Sequence, residues 1–318
     1  MTALLAITGP IYLIVAIGYL CVRAGWFAKA DLKVLGLFVL RVALPALIFN
    51  AVSSKTFTDI LQPQYLLVFT AASLITLGLG LAWARWVRGC SPSQAGIIGM
   101  GMICPNSGYV GFPIALLTLP AVAGMGLALN MLVENLLLIP LTLMLAARGE
   151  SRAPWHRLML QSLRDLVRTP FIMALLLGLL SSLLGLHMPD VVQRMVNLLA
   201  SASAGVSLFI IGGSLAGLSL KGLWGHITPI LLGKLFIQPG LVALGLWLWN
   251  QSGLPMMSSD LQAAVLLFSA MPIMGIYPIL TQKHGHDGLS AAALLVTTMA
   301  SFLTLNALLW QLKNLNLL

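Results

Sequence analysis

The sequence predicts an all-α polytopic membrane protein with ten transmembrane helices. Three observations favour this class: the composition, a series of long apolar stretches between short charged loops, and two proline-bracketed stretches inside the apolar segments. Of the 318 residues, 59% are hydrophobic and only 8% are charged, and the mean hydropathy is +0.98. Because a soluble domain carries about 25% charged residues, the composition excludes the soluble class.

The charge balance and the cysteines exclude several kinds of function. The formal net charge of +9 lies mostly in short loops between apolar runs, which indicates orientation in a bilayer and no nucleic-acid partner. The three cysteines, Cys21, Cys90 and Cys104, have no repeated spacing, so we expect neither a disulfide framework nor a metal site. The sequence contains no metalloprotease, serine-hydrolase or nucleotide-binding motif, and we therefore expect no enzyme activity and no cofactor.

Ten apolar stretches are long enough to span a bilayer, which takes about 20 residues. The first stretch has no Lys or Arg before position 23, so it is predicted as a span and not as a cleavable signal peptide. The ten predicted spans are 3–22, 33–53, 64–87, 93–120, 124–147, 169–187, 192–218, 225–249, 260–281 and 289–311.

The positions of Lys and Arg in the loops predict that both termini lie outside. With an outside N-terminus, twelve Lys and Arg residues fall in inside loops and only Lys55, Arg194 and Lys313 fall outside. The segment 148–168 carries five arginines and is the only sizeable loop. We therefore predict a basic cytoplasmic linker on the anionic inner leaflet.

The parts before and after this linker, residues 1–147 and 169–318, are predicted to be two five-helix repeats. Three pairs of prolines recur 166, 167 and 165 positions apart: Pro63 and Pro229, Pro105 and Pro272, and Pro113 and Pro278. Because each repeat has an odd number of spans, the second must be inverted in the membrane. Inverted repeats are typical of secondary transporters.

Two of the three proline pairs frame a predicted break in a helix. The first break lies within 105–113 in span four, and the second lies within 272–278 in span nine. Proline removes a helical hydrogen bond, and unwound backbone in a membrane must be buried in protein or must line a watery cavity. Broken helices in matched positions indicate a transporter's binding site, where helix N-termini attract anions. The predicted substrate-binding residues are Asn106, Ser107, Gly108, Tyr109, Gly111, Ser269, Gly275 and Tyr277.

Three ionisable residues lie inside predicted spans. Glu134, with Asn130 and Asn135 nearby, could bind a coupling proton or cation, or could be a neutral acid bonded to another helix. Arg41 and Lys234 each lie about nine residues from a cytoplasmic span end, roughly 13 Å deep. Snorkelling to the inner surface is the favoured interpretation for both, and pairing with Glu134 or lining an anion path are the alternatives.

Span four contains the motifs Pro-Asn-Ser-Gly-Tyr and Gly-Phe-Pro. With these motifs, the ten spans, the two halves and the cytoplasmic link, the chain resembles the auxin efflux carrier family. The length resembles its bacterial branch, which includes malonate carriers. The resemblance implies an NhaA-like fold with crossed broken helices in the bacterial inner membrane. Spans one, two, six and seven would form a scaffold and homodimer interface. It also implies an elevator-type movement and a small carboxylate substrate, with Asn106 at the crossing point. Ile273 and Met274 depart from the family pattern, which has Asn after the proline in span nine.

The sequence therefore favours a secondary transporter of a small organic anion, most simply malonate or a similar short dicarboxylate, with the lipid bilayer and a second copy of the chain as partners. The coupling ion, proton or sodium, is left open. The alternative on the same fold is a cation/proton antiporter that uses Glu134. An intramembrane enzyme and an energy-independent channel are further hypotheses, and the lack of a paired catalytic set at depth disfavours the enzyme.

Overall fold

The computed structural model describes residues 2–53, 62–147, 169–186, 188–214, 216, 224–282 and 284–315. The predicted linker 148–168 and the loop residue Lys55 lie outside the described residues. In the described ranges every regular element is a helix, and the only extended pairing is an isolated antiparallel bridge between Pro105 and Ile273.

Long apolar runs form the helices, and short π-helical turns interrupt them. In chain order the α-helices are α1 Thr2–Arg23, α2 Lys29–Phe38, α3 Leu44–Ser53, α4 Pro63–Ala82, α5 Pro92–Ile103, α6 Phe112–Thr118, α7 Ala123–Val133, α8 Ile139–Ala147, α9 Pro170–Leu183, α10 Asp190–Ser214, α11 Trp224–Leu232, α12 Gln238–Gln251, α13 Ser259–Ser269, α14 Tyr277–Gln282 and α15 Asp287–Asn314. The π-helical turns are Val39–Ala43, Trp83–Val87, Ser107–Gly111, Glu134–Leu138 and Gly233–Ile237.

The described helices coincide with the apolar stretches of the sequence. Within the part of the chain that the structure describes, six continuous helices are long and apolar enough to cross a membrane, and shorter apolar helices accompany them. The six are Ala30–Ser53, Pro63–Val87, Ala123–Ala147, Asp190–Ser214, Trp224–Gln251 and Gly288–Asn314. An all-helical protein with several membrane spans is therefore confirmed, whereas ten spans in two inverted repeats stay a prediction.

The chain divides into two compact units, and each contains segments from both halves of the sequence. Unit 1 comprises residues 1–62, 107–129 and 166–217, and unit 2 comprises residues 63–106, 130–165 and 218–318. Predicted spans one, two and six belong to unit 1, and so do residues 192–217 of predicted span seven. The segment 107–129, from predicted spans four and five, belongs to the same unit.

Unit 1 is built around a close approach of α1 and α10. A Cβ atom on Gly212 would lie 1.8 Å from the carbonyl oxygen of Val15, and one on Gly18 would lie 2.1 Å from that of Phe209. Only glycine permits backbones to approach this closely, as in small-residue helix contacts of membrane proteins. The two helices are therefore held in register by glycines on both sides.

In unit 2, α5 is buried along nearly its whole length and packs against α4 and α8. It begins where the hydroxyl of Ser91 accepts a hydrogen bond from the Gln94 amide at 3.1 Å, with Pro92 in the first helical position, and this is a favourable N-terminus. A Cβ on Gly96 would lie 2.7 Å from the Ala146 nitrogen, so α5 and α8 are in backbone contact. The burial of α5 fixes the position of the break that follows it.

Candidate functional site

Both predicted helix breaks are present, but the first is shorter than the predicted 105–113, because a π-helical turn begins at Ser107. Helix α5 ends at Ile103, and Cys104 before Pro105 is extended, with φ −95° and ψ 102°, as the residue preceding a proline prefers. Helix α13 ends at Ser269, and the next helical residue is Tyr277. The intervening segment contains Pro272, which cannot donate a backbone hydrogen bond.

The two breaks pair with each other inside unit 2. The amide of Asn106 donates to the carbonyl of Pro272 at 2.7 Å, and the amide of Met274 donates to that of Cys104 at 3.1 Å. The two hydrogen bonds flank the bridge between Pro105 and Ile273. Backbone groups in each non-helical stretch are thus satisfied by the opposite stretch, and unwound backbone inside a membrane protein requires such partners.

A fully buried lysine lies beside the paired breaks. Lys234, in the π turn between α11 and α12, has 0% exposure. Its Nζ donates to the carbonyl oxygen of Ser269 at 2.7 Å and to Oε1 of Gln238. A cation at the C-terminal end of a helix interacts favourably with the helix dipole, so the ammonium is suited to the end of α13.

Gln238 extends the same arrangement to the first break. Its Nε2 donates to the carbonyl of Ile103 at 2.9 Å and to the hydroxyl of Ser73 at 3.0 Å. The C-terminal ends of α5 and α13 are therefore both bound by one pair of side chains, Lys234 and Gln238, four residues apart on one helical face.

The favoured interpretation of Lys234, a side chain that snorkels to a membrane surface, is wrong. The physical reason is that the ammonium finds carbonyl and amide oxygens within unit 2, so it does not need to reach water. Arg41 differs, because its side chain is exposed in the π turn Val39–Ala43 of unit 1. For Arg41, both snorkelling to the inner surface and lining an anion path stay predictions.

Glu134 lies in a buried chain of polar groups in unit 2 and is 4% exposed. The hydroxyl of Tyr65 donates to Oδ1 of Asn130 at 3.0 Å, and Nδ2 of Asn130 donates to Oε1 of Glu134 at 3.1 Å. Glu134 also interacts electrostatically with Lys234. Direct pairing of Glu134 with Lys234, one of the alternatives for the lysine, stays a prediction. Asn135 instead donates to the backbone carbonyl of Met131 at 2.8 Å.

The other predicted residues of the second break have more structural partners than the sequence indicated. The hydroxyl of Tyr277 donates to the carbonyl of Ile97 at 2.7 Å, and that of Ser269 donates to the carbonyl of Leu266 at 2.7 Å. Gly275 is half-buried in the break. Tyr277 thus ties α14 to α5, and a role in ligand contact stays a prediction.

The remaining predicted residues belong to unit 1. Ser107, Gly108 and Gly111 are buried in the π turn Ser107–Gly111, as is Tyr109. The Tyr109 hydroxyl donates to the carbonyl of Gly36 at 3.4 Å. At the breaks in unit 2, the described contacts of Lys234 and Gln238 are made to carbonyls at helix C-termini. The sequence analysis instead predicted that helix N-termini form the anion site. Helix α14 has only six residues, so its N-terminal dipole is small.

Unit 1 also contains a cavity of about 390 Å³ between α3, α6 and α10. Its polar lining includes Asn50, Asn197 and Ser201. Nε2 of Gln193 donates to Oδ1 of Asn50 at 2.6 Å and to Oδ1 of Asn197 at 3.2 Å. This amide cluster was not predicted, because Asn50 is 143 positions from Gln193, although Gln193 and Asn197 are four residues apart on one helix.

Gln238 and Ser73 were also missed, although a signal for Gln238 exists. It lies four residues after Lys234 within an otherwise apolar stretch, and this spacing places two polar side chains on one face of a helix. Ser73 carries no such signal, because serine is common in membrane helices and bonds readily to its own backbone.

Comparison with known proteins shows the family to which the chain belongs. Residues 6–310 match the family described as "Membrane transport protein". A Rhizobium meliloti (strain 1021) protein named "Putative malonate transporter" is 28% identical over 306 residues, which are 96% of this chain and 94% of that protein. The "Uncharacterized transporter YfdV" of Escherichia coli (strain K12) is 25% identical over 215 residues, which are 65% of this chain and 67% of that protein. The match over nearly the whole length shows that the chain belongs to the membrane transport protein family, the auxin efflux carrier family that its span-four motif resembles.

Proposed function

We propose that this membrane transporter is a secondary carrier of a small organic anion, malonate or a similar short dicarboxylate. The observation that carries the proposal is the pairing of two helix breaks around Asn106, next to a fully buried lysine. The substrate class is supported by the name of the Rhizobium relative, which aligns with 96% of this chain.

Charge magnitudes favour a site that includes the lysine. A charged group at the bilayer centre costs at least about 2.5–3.5 kcal/mol. A helix terminus contributes only about 0.3–1 kcal/mol, and up to about 2 kcal/mol when partly buried. Helix ends alone therefore do not offset the cost of a dicarboxylate. Lys234 supplies a buried amine that can carry a positive charge near the paired breaks, and Asn106 supplies an amide at the pairing itself.

The proposed transport cycle is an elevator-type alternation. It is supported by the resemblance to the auxin efflux carriers and by the grouping of predicted spans one, two and six and most of span seven in unit 1. Those spans would be the scaffold and the homodimer interface. The backbone pairing between Asn106 and Pro272, Lys234 and Glu134 belong to unit 2, which would carry the substrate.

Substitution of Asn106 by alanine tests the binding site. A hydrogen bond to a charged group contributes about 1.5–3 kcal/mol, so the Kd for malonate should rise roughly 10- to 150-fold. The measurement is binding of labelled malonate to the purified protein at matched expression and folding. Asn250→Ala is the matched control, because Asn250 is an exposed amide at the end of α12 and its loss should leave binding unchanged. Equal Kd values for the Asn106 variant and the wild type would overturn the site assignment.

A cation/proton antiporter is the second candidate, and the buried chain from Tyr65 through Asn130 to Glu134 is the observation in its favour. A carboxyl group enclosed in this way can hold and release a proton. This function predicts cation exchange driven by a pH gradient in liposomes that contain no organic anion.

A further inference from the structure

The ammonium of Lys234 lies among oxygen atoms that would suit a small hard cation. Its described partners are a backbone carbonyl at the C-terminal end of α13 and the side-chain oxygen of Gln238. Gln238 is held in this orientation because its own amide donates to Ile103 and Ser73. Since a glutamine amide that donates through Nε2 must present Oε1 on its other side, the orientation directs an oxygen towards the cation.

Such oxygens bind coupling ions in other carriers. In transporters with discontinuous helices, unwound carbonyls and the C-terminal ends of half-helices coordinate Na⁺ or a proton. Here the C-terminal ends of two interrupted helices, α5 and α13, meet the same pair of side chains. The group that these oxygens bind is the amine of Lys234, which belongs to the chain itself, and Glu134 interacts with it electrostatically.

We propose that the Lys234 ammonium is a built-in cation that occupies the place of a coupling sodium ion, so that the protein binds and moves its anion without sodium. This inference deepens the proposed function, because it assumes that the protein transports an anion. Of the two candidate coupling ions, sodium and the proton, only the proton then remains, and Glu134 is its candidate carrier. The charge of Lys234 then stays in the site after the substrate leaves. An ionised Glu134 carboxylate would neutralise it in the empty carrier.

A structural cap and a built-in cation predict different behaviour once the lysine is shortened. If the ammonium only caps α13, removal of its side chain destabilises the protein in every salt. If the ammonium stands in for Na⁺, Lys234→Ala leaves a small oxygen-lined space that Na⁺ can enter, and Na⁺ restores the lost stability.

The test is thermal unfolding of the purified protein in NaCl and in choline chloride at equal ionic strength. The wild type should have the same Tm in both salts. Lys234→Ala should have a lower Tm in choline and should gain about 3 °C or more, saturably, as Na⁺ replaces choline. Lys234→Ala combined with Gln238→Leu should lose this gain, because one of the two described oxygens is removed. Arg41→Ala, which removes an exposed cation from another π turn, should respond equally to both salts.

Two results would overturn the proposal: a saturable Na⁺-dependent rise in the Tm of the wild type, or a folded Lys234→Ala variant whose Tm is the same in both salts. If Lys234→Ala does not fold, binding of radioactive sodium to the wild type decides, since saturable binding contradicts the proposal and its absence supports it. Neither measurement uses an organic anion. A failure here is therefore distinguishable from a failure of the malonate assignment.

Discussion

At the scale of single residues, Glu134 and Asn106 could be predicted from their neighbours in the sequence, whereas the partners of Lys234 could not. A carboxylate inside a membrane span is energetically costly and is usually functional, so Glu134 could be identified as a candidate from the sequence. An asparagine between a proline and two glycines likewise indicated Asn106. The partners of Lys234 could not be predicted in the same way. Depth along a span does not fix the direction in which a flexible side chain leaves the helix, and its acceptor, the Ser269 carbonyl, is created by a break 35 residues away.

The role of Glu134 yields a prediction at this scale. Glu134→Gln keeps an acceptor for Asn130 but cannot exchange a proton, so malonate uptake driven by an imposed pH gradient should fall at least about tenfold, which corresponds to about 1.4 kcal/mol. Exchange of internal for external malonate without a gradient should persist. Both rates are measured in proteoliposomes.

Asp260→Asn is the control for this substitution, because Asp260 is an exposed acid in the first turn of α13 and its removal should leave both rates unchanged. Unaltered dependence of uptake on the pH gradient in Glu134→Gln would show that coupling does not pass through this carboxyl group.

At the scale of helices, prolines made the breaks predictable. Cys104 is extended because Pro105 follows it. The start of α13 was not predicted, and there the Ser258 hydroxyl accepts from the Leu261 amide at 3.4 Å. The π turns were not predictable, because a π turn adds one residue to a helix without a fixed residue type. Glu134 and Lys234 are buried residues of two such turns, and hydrophobic periodicity does not show where these turns occur.

Helix packing in unit 1 gives a second prediction. In Gly212→Ala the new Cβ would lie 1.8 Å from the Val15 carbonyl oxygen, and since a backbone atom cannot move aside, α1 and α10 must separate. Overpacking of this kind costs about 1–3 kcal/mol, which should appear as a lower Tm in detergent.

Gly205 lies on the same helix, and a Cβ atom added to it would have no neighbouring atom within 4 Å. Gly205→Ala should therefore leave the Tm unchanged or raise it slightly through helix propensity. A Tm for Gly212→Ala as high as that for Gly205→Ala would mean that α1 and α10 do not approach as described.

At the scale of the whole molecule, composition alone established the membrane class, since only 8% of the residues are charged. Ten spans, an inverted repeat and both termini outside rest on charge counts and proline spacing, and they stay predictions. The two units could not be predicted from the repeats, because contacts group segments that are distant in the sequence, such as residues 107–129 with 166–217.

The orientation is open to a direct measurement. Alkaline phosphatase is active only outside the cytoplasm, whereas green fluorescent protein fluoresces only inside it. A fusion after the last residue should therefore give phosphatase activity without fluorescence, and a fusion after Arg152 in the predicted linker should give the reverse. Fluorescence from the C-terminal fusion would contradict the predicted topology and the positive-inside count that supports it.

The central claim is that the protein is a carrier whose paired breaks select a short dicarboxylate, and counterflow tests it most directly. Proteoliposomes loaded with unlabelled malonate should accumulate external labelled malonate transiently and saturably. Equal loads of acetate, a monocarboxylate, should give at least about tenfold less accumulation. Flux that does not saturate and does not depend on the internal load would indicate a channel, and equal counterflow with acetate would contradict the dicarboxylate site.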